Sequence, residues 1–205
     1  NAIARLVEPG DLTIRGGSIA VTKRGNIMLN DEVYSALFNL VTLWRYNFST
    51  MQSLFLSVFD MNEELEQKSK LNRIGSLSLA LPQGYAADSY HAIKERLYAM
   101  KEARKVYAGS ITLIIGQALA AFRIDIDANM DDWHAAGPLT NGHSVGDILT
   151  AAGNNMRHYD EWQTTTKANK QQLSSIRAIR SVLGIPMKEN GDIRGFGKNI
   201  CPEIL

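Results

Sequence analysis

The residues best placed for chemistry lie between positions 154 and 162, which read Asn-Asn-Met-Arg-His-Tyr-Asp-Glu-Trp. On a helix, Asp147, Ala151, Asn154, His158 and Glu161 share one polar face. Ile148, Ala152, Asn155, Tyr159 and Trp162 share a neighbouring, mostly apolar one. An imidazole that titrates near neutral pH can give or take a proton. A guanidinium beside it can stabilise negative charge that develops in a reaction. Arg157, His158 and, one turn on, Glu161 supply these types, and Glu161 could fix the imidazole tautomer. The plainer alternative is a solvated face on which Asp160 and Glu161 pair with Arg157 and nearby lysines, worth tenths of a kcal/mol. Trp162 and Tyr159 read as core anchors. The small residues Ala151, Ala152 and Gly153 predict a close approach by another backbone, because glycine inside a helix costs about 1 kcal/mol relative to alanine.

Residues 154–158 resemble the Arg-Asn-X-X-X-His motif of the HEPN superfamily. Asn154 and His158 match. The position of the motif's arginine is Gly153, and a cation comes instead from Arg157, directly before the histidine. The resemblance is confined to this one predicted helix. It implies a small helical bundle, commonly dimeric, with the motif on a late helix beside the dimer partner. Many members are metal-independent ribonucleases of toxin–antitoxin, abortive-infection and other defence systems. The resemblance thus implies a homodimer, an RNA substrate, no cofactor and no metal. His158 would be the acid or base, Arg157 the electrostatic stabiliser, Asn154 the donor that orients phosphate or histidine, and Glu161 the orienting carboxylate. The competing expectation is a non-enzymatic helical interaction module of the immunity or antitoxin type, binding a protein partner. Gly153 is the residue that separates the two.

Three further sets are weaker. Asp125, Asp127, Asn129 and Asp131 alternate like the first ligands of an EF-hand loop. Met130 stands where that loop needs glycine and Ala136 where it needs a bidentate glutamate, so a solvated acidic turn is expected, with Asp131 or Asp132 capping a short helix. His134 and His143 with Asp131 and Asp132 fit no metal-ligand spacing. Lys94, Arg96, Lys101, Arg104 and Lys105 form a basic run that Glu95 and Glu102 interrupt, which reads as a solvated helix face. His91 looks ordinary, and the Asn47 sequon falls inside a helical pattern. No phosphate-cradling glycine loop or Gly-X-Ser-X-Gly elbow occurs.

The elements that must hold the 154–162 segment are helical. After Asn30, an N-cap followed by Asp31 and Glu32, the stripe Val33, Leu37, Leu40, Val41, Trp44, Phe48, Met51, Phe55, Val58 steps by threes and fours. It predicts a helix from 31 to beyond 60, reaching 72 if the polar stretch continues it. Residues 75–84 are a break. A second helix, capped by Asp88 or Ser89, carries Ile93, Leu97, Met100, Arg104, Tyr107, Ile111, Ile114, Ala118 and Phe122. Its apolar second half belongs in a core or a subunit interface. Ser144 and Asp147 form a capping box for a third helix, running to about 162. A fourth covers about 170–183 and stops at Gly184 and Pro186. Pro202 can start one more. Before all of these, 18–22 and 27–29 read as a β-hairpin turning at 23–26, with Gly25 supplying positive φ.

The expected architecture is therefore an all-α bundle of four to five helices. It forms a single helical domain over 1–205, with 1–29 as an N-terminal β-hairpin extension packed on it. The whole-chain numbers agree with it. Apolar residues make 45% of the 205 and charged residues 21%, which excludes an unfolded polyampholyte. Twenty-two Lys and Arg against 21 Asp and Glu leave +1, too little for a broad cationic nucleic-acid surface. Cys201 is the only cysteine, so neither an intrachain disulfide nor a multi-cysteine zinc site can form, and a reducing cytoplasm is expected. The most apolar stretch, 111–122, contains Gln117 and is shorter than a bilayer span, so no membrane association is expected. Asn1 in place of an initiating methionine fits a processed or trimmed product, and no signal peptide opens the sequence.

Overall fold

The structure, a computed structural model, describes residues 8, 10–14, 19–75, 85–165, 167–186 and 196–204. Within that range the side chains of 68–91 and 93 are not described. Six helices and two small two-stranded sheets are present among the described residues, so the fold is mostly α, with a small hairpin at its N-terminal end. The His91 side chain and most of the 75–84 break fall outside the description.

The long helices are α1, Asp31–Gly75, and α2, Tyr85–Asp125. They pack on each other as an antiparallel pair. At 1.5 Å per residue α1 is about 68 Å long. Asn30 accepts the Val33 amide at 2.7 Å, as an N-cap should. α2 starts at Tyr85, ahead of both Asp88 and Ser89, so neither caps it. Two residues of the basic run on α2 reach α1. Arg96 meets Glu64 at 2.9 Å and Arg104 donates to Asn62 Oδ1 at 2.7 Å, while Lys105 pairs with Glu102 on α2 itself at 2.6 Å. Asn47, on α1, donates to the Leu43 carbonyl at 2.8 Å.

The α1 stripe is wider than the surface that covers it. Val33, Met51 and Val58 are buried and Leu37 and Leu40 half-buried, but Val41, Trp44, Phe48 and Phe55 are exposed. Sequence spacing placed all nine on one face; α2 covers only its inner edge. The second half of α2 does lie in the core, with Ala108, Ile111, Ala118 and Phe122 buried.

Strand β1, Leu12–Thr13, pairs antiparallel with β2, Ile19–Val21. The turn after β2 forms as expected. The Thr22 amide donates to Asn26 O at 2.8 Å and Gly25 has φ 82°. The strand-like run beyond it is reduced to a single bridge, Val21 to Ile27, with one further backbone bond from the Met28 amide to Ala20 O at 2.8 Å. Ser18 falls outside the description. Leu12, Ile14 and Ala20 close over Val33, Ala36, Phe122 and Ile126, where α1 begins and α2 ends.

The acidic turn folds into α3, Met130–Ala135, capped by Asn129, whose Oδ1 accepts from the Asp132 amide at 2.8 Å. The cap is thus the asparagine, not Asp131 or Asp132. Strands β3, Leu139–Thr140, and β4, His143–Ser144, make a tight hairpin through Asn141 (φ 51°) and Gly142 (φ 85°). That Asn-Gly pair is the preferred two-residue hairpin turn. Helices α4, Val145–Thr164, α5, Lys170–Val182, and α6, Cys201–Ile204, complete the chain. α2 carries α1 along one flank and α4 along another. α5 packs on α4, and α6 lies against both α2 and α4.

Candidate functional site

α4 is held on three sides. Ser144 caps it by accepting the Asp147 amide at 3.1 Å. The reciprocal half of the expected capping box is missing, because the Asp147 carboxylate turns to His143 Nδ1 and lies 3.7 Å from His134 Nδ1. The two histidines therefore converge on Asp147, not on Asp131 or Asp132. Among the described residues no group of three such side chains could hold a metal ion.

The face of α4 that carries Ala152 packs on α2 and α6, with Ala108, Cys201 and, from α1, Val58 buried in the same cluster. The face that carries Trp162 packs on α5, with Ile176, Ala178 and Ile179. Between these faces Asn155 is fully buried. Its Nδ2 donates to Phe196 O at 3.0 Å and its Oδ1 accepts from the Ile200 amide at 2.9 Å. Asn155 therefore ties α4 to the segment that leads into α6. A backbone clamp of this kind is invisible in the sequence, because its two partners lie more than forty residues away.

What remains of α4 is the polar edge. Asn154, His158 and Glu161 line a cleft of about 200 Å³ between α4 and the start of α5. The opposite wall is Asn169, Gln171, Gln172 and Ser175. These were not expected as site residues, although Asn169 and Gln172 carry the spacing of a capping box. They form one, with Gln172 N to Asn169 Oδ1 at 2.8 Å and Asn169 N to Gln172 Oε1 at 2.9 Å. The wall thus presents amides and a hydroxyl, beside the positive end of a helix.

The four expected residues are joined in two pairs. His158 Nδ1 and Glu161 Oε1 are 3.1 Å apart, with both side chains largely open to solvent. A carboxylate at this distance favours the proton on Nδ1 and makes Nε2 the basic nitrogen. Asn154 donates to Ser175 Oγ at 3.2 Å and accepts from Arg157 Nη2, also at 3.2 Å. Arg157 folds back along the helix, its Nε donating to the Gly153 carbonyl at 3.1 Å. Arg157 does not line the cleft itself. It lines a second groove, of about 270 Å³, on the α2 side of α4, together with Gly153, Thr112, Gln117 and Arg123.

Gly153 is buried, but it is not the site of a close backbone approach. A Cβ built there would meet only Arg157 Nη2 at 3.7 Å and Leu113 Cδ2 at 4.0 Å, ordinary contacts. The small face of α4 predicted tighter packing. The nearest neighbour of the missing side chain is in fact the guanidinium of Arg157.

Compared with protein-family models, with curated proteins and with solved structures, the chain matches none.

Proposed function

We propose that the α4–α5 cleft is a HEPN-like site for metal-independent cleavage of RNA, in a protein of the bacterial defence or toxin–antitoxin type. One observation carries the reading. Arg157 folds back so that its guanidinium lies beside the Cβ position of Gly153, the place from which the motif's arginine would emerge, and hydrogen-bonds to Asn154. A cation, an amide and an imidazole thus occupy neighbouring turns of one helix even though the sequence order of the motif is altered.

The reaction this set supports is attack by the RNA 2′-hydroxyl oxygen on the adjacent phosphorus. His158 Nε2 takes the hydroxyl proton, with Glu161 holding the imidazolium that results. The P–O5′ bond breaks, leaving a 2′,3′-cyclic phosphate, and the 5′-oxygen leaves with a proton from water or from the imidazolium. The Asn154 amide, polarised by the Arg157 guanidinium that donates to its Oδ1 from the neighbouring groove, stabilises the charge on the phosphorane. Incubation of the protein with single-stranded RNA in EDTA, against His158→Ala, tests the reading. Cleavage by the wild type alone supports it; equal cleavage by both, or none by either, overturns it.

A second reading has its own observation. The uncovered aromatic face of α1 suits an interaction module that binds a protein surface.

A further inference from the structure

The outer face of α1 repeats at heptad spacing: Tyr34, Phe38, Val41, Arg45, Phe48, Gln52, Phe55, Phe59. Steps of four and three alternate throughout, which keeps a straight seam on one side of a helix. Six of these eight are apolar, and all six are exposed: Tyr34 63%, Phe38 62%, Val41 38%, Phe48 50%, Phe55 48% and Phe59 52%. Trp44 and Leu56 flank the seam and are exposed as well. Between Val33 and Phe59 the only charged residue is Arg45. A surface of this kind is costly to leave in water.

We infer that this face is covered by the same face of a second copy, with the two α1 helices antiparallel about a two-fold axis between Tyr46 and Asn47. The pattern is self-complementary about that point. Tyr34 meets Phe59 of the other copy, Phe38 meets Phe55, Val41 meets Gln52, and Arg45 meets Phe48. The two outer pairs are apolar on both sides, Val41 faces the stem of Gln52, and the one cation of the seam finds an aromatic face, a pairing favourable in its own right. An isologous contact needs such a surface, one that complements itself. A different partner would not require the symmetry.

The area is sufficient. The five aromatics, 48–63% exposed and each worth roughly 150–250 Å² when fully covered, bury roughly 400–700 Å² per copy, to which Val41 and the flanking Trp44 and Leu56 add. A standard stable interface buries about 800 Å² per partner. A lipid surface is the poorer occupant. Arg45 and Gln52 sit in the middle of the seam, where hydrocarbon leaves them without polar partners. Among the described residues, the helix that is long and apolar enough to cross a membrane, by length and composition only, is Lys94–Asp125, not α1. The seam also lies away from α4, with which α1 makes few contacts, so this pairing does not set the motif beside the partner as the resemblance implies; it leaves one cleft in each copy and stands independently of the proposed chemistry.

Sedimentation equilibrium on the full chain tests the inference, with Phe38→Asp/Phe55→Asp as the disruptive variant and Tyr98→Asp, exposed on α2, as the control. The wild type and control should be dimers at micromolar concentration. The double variant should dissociate with a Kd raised roughly 100-fold, tenfold for each lost anchor, while its circular dichroism stays helical. Spin labels then fix the direction. An antiparallel pair puts labels at Ser49 about 8 Å apart along the axis and labels at Ser35 about 35 Å apart. A monomeric wild type, a dimer indifferent to the double substitution, short separations at both label positions, or a monomer that instead floats with phosphatidylcholine vesicles would each overturn it.

Discussion

Replacing Asn155 by alanine isolates the clamp between α4 and the chain's last helix. The side chain is fully buried and satisfies two backbone groups that are themselves buried, the Phe196 carbonyl and the Ile200 amide. Alanine leaves both without a partner, and neither can reach solvent where it stands. An unsatisfied buried group costs about 1–3 kcal/mol, so the pair predicts a loss of about 2–6 kcal/mol. For a chain of this size each kcal/mol lowers Tm by about 2–4 °C, so the melting temperature should fall by roughly 4–24 °C. Asn154→Ala is the internal comparison, one residue earlier on the same helix. It removes half-exposed bonds to Ser175 and Arg157 and should cost less than about 1 kcal/mol. Urea unfolding followed by circular dichroism measures both. If the two substitutions cost the same, or if Asn155→Ala costs under about 1 kcal/mol, the clamp is not what holds α4 to the C-terminal segment.

Two glycines should respond with opposite signs in the same assay. At Gly197 an added methyl would run into Gln163, with the Gln163 Cα only 2.7 Å away, so Gly197→Ala should destabilise by about 1–3 kcal/mol. Gly153→Ala has room and removes a helix-interior glycine, so it should stabilise by up to about 1 kcal/mol; a loss there would mean that α4 and α2 are closer than described. Cys201 gives a pH prediction. Burial pushes its thiol pKa up, so the unfolded chain loses the proton first as pH rises. The stability this confers is complete below the free-thiol value and drains away above about pH 8.5. Tm measured from pH 7 to 10 should fall less steeply in Cys201→Ala than in the wild type, and parallel curves would refute the assignment.

The parts of the fold that were legible in the sequence are those set by local spacing and caps. Asn30, Ser144 and Gly184 mark their helix ends where the structure has them. α5, Lys170–Val182, matches its apolar seam within a residue, because a short helix packed on one side has a single buried stripe. α1 misleads for the opposite reason. Its apolar residues serve two faces, and spacing alone does not divide Val33 and Met51, which are buried, from Phe48 and Phe55, which are not. In the site, Asn154, His158 and Glu161 share an edge because the helical period puts them there. The opposite wall and the fold-back of Arg157 depend on how α5 docks and which rotamer the glycine permits. Neither is a property of any short stretch of sequence.

The segment at 196–204 is the last piece the helix hub acquires. Phe196 and Ile200 occupy the two hydrogen bonds of Asn155. Asn199 reaches back to the Lys105 carbonyl at 3.0 Å, and Cys201 is sealed against Ala152. During synthesis α1, α2, α4 and α5 are all polymerised before these groups exist. Until then the nascent chain holds a bare amide in an apolar trench, so its tertiary structure cannot close helix by helix as the polypeptide emerges. A chain interrupted before Phe196 would keep its helices and lack the bolt between them, and a quality-control protease should read that difference directly.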